Sequence, residues 1–180
     1  SNPNDIAIRF LARRYSEYEK SAINFSKVVV PNSFATMEDL ASRYDAPNDW
    51  DCQVIHWGVD TGMFVPPHRD SEDVVHRHSE IRSRFSIPQD SLFILAVGRL
   101  AARKGNGFLL RSFAKVVEST DANLVIIGRG SLRRKLIRMA SRLGIGDRVS
   151  IESSMNFQEV AEMYRAADLV VYPSYYEGQG

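Results

Sequence analysis

Apolar residues change their spacing repeatedly along this chain, and each change marks an element. Between Asp5 and Phe25, Ile8, Leu11, Ala12 and Tyr15 recur at helical spacing, which predicts an amphipathic helix. Val28-Val29-Val30, stopped by Pro31, reads as a short buried strand. Asn32 or Ser33 then caps a helix that runs to about Tyr44. A loop from Asp45 to Asp51 leads to a second short strand, Gln53 to His56. Beyond the Pro66-Pro67 linker, Asp73 to Phe85 predicts a polar helix in a region ended by Pro88.

The second half alternates more regularly. Leu92 to Val97, Leu124 to Ile127, Arg148 to Ile151 and Leu169 to Tyr172 are apolar runs without polar alternation, as expected of strands covered on both faces. Helices fall between them. One carries Leu109, Phe113, Val116 and Val117 on a single face. The next is capped by Ser131, stopped by Gly144, and turns Leu132, Leu136, Ile137, Ala140 and Leu143 inward. The last runs from Phe157 to Ala166, with Val160 and Tyr164 one turn apart. Strands alternating with helices predict the α/β class: a Rossmann-like parallel sheet with helices on both faces.

Composition narrows the classes. The chain has 180 residues, near the size of one domain, with 44% hydrophobic and 25% charged residues. That excludes a disordered chain, a collagen-like chain and a disulfide scaffold. A net charge of +1 gives no global reason to expect nucleic acid or a membrane surface as partner. Cys52 has no second cysteine to pair with, which suits a reducing, cytoplasmic compartment. No apolar run approaches the ~20 residues that span a bilayer. Ser1-Asn2 reads as a cloning scar, so the natural start is expected elsewhere.

Charge is distributed unevenly. From Gly98 to Arg148 the cations Arg99, Arg103, Lys104, Arg111, Lys115, Arg129, Arg133, Arg134, Lys135, Arg138, Arg142 and Arg148 outnumber Glu118, Asp121 and Asp147. From Val149 onward Glu152, Glu159, Glu162, Asp168 and Glu177 face only Arg165. Ligands of open α/β sheets bind at the carboxyl ends of strands, so three turns are candidates. Gly98 to Gly105 sets Arg99, Arg103 and Lys104 between a strand end and a helix start, where amides and cations suit a diphosphate. A solvated turn is the competing reading, and the glycine-lysine-serine order of a P-loop is absent. Gly128-Arg129-Gly130-Ser131 is either part of that anion site or a tight turn. Pro173 to Gly180 places the Glu177 carboxylate beside flexible amides that can meet sugar hydroxyls or phosphate.

These residues resemble a known family. Val97-Gly98-Arg99-Leu100 with Lys104-Gly105, Ile127-Gly128-Arg129-Gly130, Tyr164-Arg165-Ala166-Ala167-Asp168, and Pro173-Ser174 with Glu177-Gly178-Gln179-Gly180 are similar to motifs of retaining GT-B glycosyltransferases of family 4 (group 1). Val54 to Asp60 resembles that family's hinge, with Trp57 where Asn is common, and Lys27 to Ser33 its acceptor-side domain. The resemblance implies that residues 1–56 close an N-terminal acceptor-side domain and residues 57–180 form a C-terminal nucleotide-sugar-binding Rossmann-like domain, cut short at its end.

The same resemblance implies a sugar transferase, of hexosyltransferase type, working on a nucleotide-diphospho-sugar donor without a metal or other cofactor. Arg99 and Lys104 would bind the diphosphate, with Gly98 and Gly128 in the turns beside it. Glu177 would orient the donor sugar as the first Glu of an E-x7-E pattern, whose second member lies past the chain end. The amides of Gly178, Gln179 and Gly180 would approach sugar or phosphate, and Met155, in the turn with Ser154 and Asn156, the base. The acceptor would be a sugar or lipid-linked molecule in glycan, lipopolysaccharide or glycolipid synthesis, with peripheral membrane contact in the full-length protein at the inner face. The chain alone is expected to be an inactive fragment. Other classes to separate by assay are a non-catalytic nucleotide-binding module and a GT-B relative such as a nucleotide-sugar epimerase or phosphorylase.

Two apparent metal signals carry little. Asp49-Trp50-Asp51 has D-x-D form but sits in a loop before a strand, without acidic neighbours. His56, His68, His76 and His78 form no convincing zinc set and read as surface residues.

Overall fold

The computed structural model describes residues 15–44, 50–64, 72–153, 155–175 and 177, without the side chains of 72–75. Residues 5–14 of the expected N-terminal helix, most of the expected 45–51 loop including Asp49, Pro66-Pro67 and His68 lie outside the described residues. The chain divides into two units, Ser1–Gly58 with Glu177–Gly180, and Val59–Tyr176.

The first unit contains helix α1, described over 15–25, and helix α2 (Phe34–Tyr44). Ser33 caps α2 as expected, its hydroxyl accepting the Thr36 amide at 3.1 Å. Buried Tyr44 donates its hydroxyl to the Glu19 carboxylate, tying α2 to α1. The expected strands at Val28 to Val30 and Gln53 to His56 reduce to one parallel bridge, Val29 with Cys52. The Val29 amide donates to Asp51 O, while those of Gln53 and Ile55 donate to Val29 O and Pro31 O. Val28, Val30 and Ile55 stay exposed, so the apolar run there is not a run of core positions.

The second unit holds the sheet. Strands β1 (Leu92–Val97), β2 (Ala122–Ile127), β3 (Val149–Glu152) and β4 (Leu169–Val170) are all parallel, in the order β3-β2-β1-β4. Alternation along β1 builds two cores. Ile94 and Ala96 face Leu109, Leu110, Phe113 and Leu136 beneath α4 (Asn106–Val116) and α5 (Arg133–Arg142). Phe93 and Leu95 face Ile87, Met163 and Ala166 beneath α3 (Glu72–Arg84) and α6 (Phe157–Ala166). Full burial of the Ile, Leu, Phe and Met side chains among them contributes roughly 1.5–3 kcal/mol each. The expected Rossmann-like sheet with helices on both faces is present.

Several boundaries differ from expectation for local reasons. β2 starts at Ala122 because the Asn123 amide is satisfied internally, donating to Ser91 Oγ at 2.7 Å, so a polar residue enters the sheet. Arg148 belongs to a 3-10 turn (Gly146–Arg148), and β3 begins at Val149. β4 is short, although the Val171 amide still donates to Leu95 O at 2.8 Å. Ser131 does not cap α5; Leu132 occupies that position with no side-chain bond. Ile137 and Leu143 are exposed rather than inward, since only Leu136 and Ala140 of α5 reach full burial; Val116 is likewise exposed on α4.

Candidate functional site at the carboxyl ends of the strands

Three turns leaving β1, β2 and β4 are bound together by backbone. The β1 turn runs from Gly98 through a 3-10 turn (Ala102–Lys104) to Gly105, whose left-handed φ of 64° starts α4. It lies against the β2 turn: Gly98 N donates to Ile127 O and Leu100 N to Arg129 O, both at 2.9 Å. A Cβ on Gly128 would sit 1.8 Å from Gly98 O, so glycine is required there by the contact of two backbones. On its other side the β1 turn meets the loop after β4. The Tyr175 amide donates to Arg103 O at 2.9 Å, and a Cβ on Gly105 would lie 1.9 Å from Pro173 O.

This frame carries cations at the carboxyl end of the sheet. Arg99, Arg103 and Arg129 are exposed, and Lys104 is half-buried. Leu100, fully buried between them, pins the turn to the core. The cap position of α4 is Gly105, which has no side chain to bond the first amides of the helix. The start of α6 is the opposite. Asn156 accepts the Glu159 amide and its own amide donates to Glu159 Oε2, each at 2.9 Å, closing a capping box. α4 and α5 both start without a side-chain cap bond, and the start of α4 is the one flanked by Lys104.

The remaining expected residues are placed unevenly. Gly98, Arg99, Lys104 and Gly128 come together across the first two turns. Met155 packs, half-buried, against the core on the α3/α6 face. Glu177 is half-buried and groups with the first unit. Ser154, Gly178, Gln179 and Gly180 lie outside the described residues. Arg103 was seen in the sequence only as an extra cation; its carbonyl is what holds the β4 loop.

Other expectations concern metals. Among the described residues no three His, Cys, Asp or Glu side chains are grouped to hold an ion. His56 Nδ1 lies 3.0 Å from Asn32 O, and His76 pairs with Glu80 at 3.4 Å. His78 departs from the surface expectation, its Nε2 being enclosed without a partner. Among the described residues no helix is long and apolar enough to cross a membrane.

Known proteins share this fold. The structure of sucrose-phosphate synthase from Thermosynechococcus elongatus superposes with a TM-score of 0.74 at 23% identity, covering 93% of this chain and 40% of that one. Anabaena HepE, solved in complex with UDP-glucose, gives 0.72 at 19% identity, with 91% and 43% covered. These likenesses show the fold, the Rossmann-like sheet of GT-B glycosyltransferases. A D-inositol 3-phosphate glycosyltransferase from Xylanimonas cellulosilytica is 32% identical over 166 residues, 90% of this chain, and the chain spans 38% of that relative's length. The family model for glycosyl transferases group 1 matches residues 77–180, more than half of the chain, and covers every turn described above. The chain belongs to the group 1 glycosyltransferases.

Proposed function

We propose that this chain is the donor-binding portion of a retaining family 4 hexosyltransferase that uses a nucleotide-diphospho-sugar and no metal. The observation that carries the reading is the β1 turn: Arg99 and Lys104 beside a helix start whose cap residue is Gly105, without a side chain. A diphosphate seated there would receive helix amides and charge-assisted contacts together. As the glycosidic bond breaks, negative charge grows on the leaving diphosphate, and the same groups stabilise it more strongly. They supply the charge that a divalent ion supplies in other transferases. HepE, a structural neighbour, binds UDP-glucose, which supports this class of donor.

In this reading residues 1–56 belong to the acceptor-side domain and 57–180 to the donor domain. Glu177 accepts hydrogen bonds from donor-sugar hydroxyls, and the amides of Gly178, Gln179 and Gly180 approach sugar or phosphate. Gly98 and Gly128 shape the diphosphate turn, and Met155 lies near the base. The acceptor is a sugar, polyol or lipid-linked molecule on the cytoplasmic side. This chain alone transfers nothing, because donor and acceptor must be held together by both walls of the cleft.

Calorimetry of the chain with UDP, ADP and GDP tests the reading. It predicts binding of at least one nucleoside diphosphate, stronger than of the matching nucleoside. Failure of all three, or equal affinity for diphosphate and nucleoside, would remove the diphosphate site.

A further inference from the structure

The sheet ends at β3, which pairs with β2 on one side and, among the described residues, with no strand on the other. Along a strand the backbone groups of successive residues face alternate sides. Glu152 O accepts the Gly128 amide at 2.9 Å, so Ser150 and Glu152 turn their polar groups toward β2. Val149 and Ile151 turn theirs outward. Two of these outward groups are already used: the Val149 amide donates to Gly146 O, and Ile151 O accepts the Arg133 guanidinium at 2.9 Å. The Ile151 amide and Val149 O have no partner among the described residues. The edge therefore keeps one open donor and one open acceptor, two residues apart.

These two groups complement their own copies. When a second β3 lies antiparallel to the first about a two-fold axis through Ser150, Val149 stands opposite Ile151, and each Ile151 amide reaches the other chain's Val149 O. Both bonds form without breaking one that the chain already makes. The next step outward sets Arg148 opposite Glu152, twice, and opposite charges directly across a strand pair attract. Arg148 is exposed and uses Nη1 for Asp121 and Ala122 O, which leaves the other arm of its fork for Glu152. Beside the edge, Arg133, Ile137, Ala140 and Ser141 form one stripe of α5 lining a recess against β3. Ile137 is 43% exposed there. The same axis sets this stripe against its copy, where Ile137 leaves water. An unrelated extended peptide could use the open amide and carbonyl, but nothing would match its charges to Arg148 and Glu152.

We infer that β3 and α5 form a two-fold interface with a second copy of this chain, in which two four-stranded sheets join edge to edge. The inference concerns assembly and does not rest on the donor-site reading. β3 is only four residues long, so the two backbone bonds set the register while the helix stripes supply apolar burial. Such an interface is closed by its own symmetry, and it covers an edge that could otherwise accept a foreign strand.

Sedimentation velocity of the chain over a range of concentrations should show a monomer–dimer equilibrium that stops at the dimer. Arg148→Glu and Glu152→Arg should each weaken the dimer by at least ~10-fold, because each turns both attractive pairs into repulsive ones. Mixing the two variants should restore it, since every facing pair is then again of opposite charge. Ser150→Cys in a Cys52→Ala background reads the register without a change of charge. The axis brings its Cα within about 4.5 Å of its copy, inside the span that a disulfide bridges. Mild oxidation should crosslink it, while Ser79→Cys, exposed on α3, should stay uncrosslinked. If Arg148→Glu fails to fold, because Arg148 also holds Asp121, Glu152→Arg and the Ser150→Cys crosslink carry the test. A chain that stays monomeric, a dimer indifferent to charge reversal, no recovery on mixing the folded variants, or crosslinking at Ser79 equal to that at Ser150 would each overturn the proposal.

Discussion

Arg82 and Asp168 meet at 2.7 Å, and the same carboxylate oxygen accepts the Phe93 amide at 2.7 Å. Arg82 also donates to Pro88 O and Ser91 O, so one guanidinium joins α3, the entry to β1 and the entry to β4. Its side chain is only 8% exposed. Removing the carboxylate leaves a buried cation and a strand amide without their acceptor. Asp168 is itself 41% exposed and Arg82 keeps its two carbonyls, so Asp168→Ala should cost about 1.5–3 kcal/mol in urea unfolding. Arg77→Ala, which breaks an exposed pair, should cost under ~1 kcal/mol.

Ser86 has a left-handed φ of 55° at the end of α3. Ile87 N donates to Arg82 O and Ser86 N to Ser83 O, the paired bonds of a left-handed helix stop normally built on glycine. The side chain there is strained by roughly 1–2 kcal/mol, against roughly 0.5–1 kcal/mol for glycine's extra unfolded freedom. Ser86→Gly should therefore raise stability by up to ~1 kcal/mol in thermal or urea unfolding.

Burial and the hydrogen bond to the Tyr172 hydroxyl, at 2.6 Å, hold the Tyr164 phenol well above its ordinary range. The folded state then keeps a proton that the unfolded chain releases near pH ~10. Stability from this group is unchanged below that pH and falls as pH rises above it, since the native state binds more protons. Urea unfolding at about pH 9 and about pH 11 should show the fall in the native protein, and a shallower one in Tyr164→Phe.

Arg99→Ala or Lys104→Ala should weaken nucleoside-diphosphate binding by about 1.5–3 kcal/mol each in calorimetry. Arg134→Ala and Arg138→Ala, on the outer side of α5, should change it little. Equal losses at all four positions would mean diffuse attraction instead of a site.

Glu177→Gln keeps shape and removes charge. In the full-length enzyme it should lower turnover by at least ~100-fold while nucleoside-diphosphate affinity stays nearly unchanged, because the lost contact is to the sugar. Loss of nucleotide binding with turnover spared would place Glu177 outside the sugar site.

Much of the second unit was legible because its strands are buried on both faces. Leu92–Val97 shows as an unbroken apolar run for that reason. Periodicity misled where an apolar residue serves a surface: Ile137 fits the inward pattern of α5 yet stands exposed. It also misled at Val28 to Val30, where only Val29 forms a bridge. Asn156 and Glu159 carry the spacing of a capping box, a signal present in the sequence and not used. The cations of the β1 turn were readable from residue type and position. What held that turn was not, because the contacts of Arg103 O with Tyr175 and of Gly105 with Pro173 are backbone meetings between distant segments.

The central place of β1 shapes the order in which the fold can be made. Its bond partner on one side, Asp168, lies 75 residues later in the chain. Closing a loop of that length costs entropy before the contact returns any, so this pairing is expected late in folding. During synthesis β1 would then pair with β2 first, with its other edge open to a foreign strand. Docking of Asp168 beside Phe93 ends that exposure, and the same step brings Tyr175 within reach of Arg103. In this molecule protection from misassembly and completion of the β1 turn's contacts are expected to arrive together.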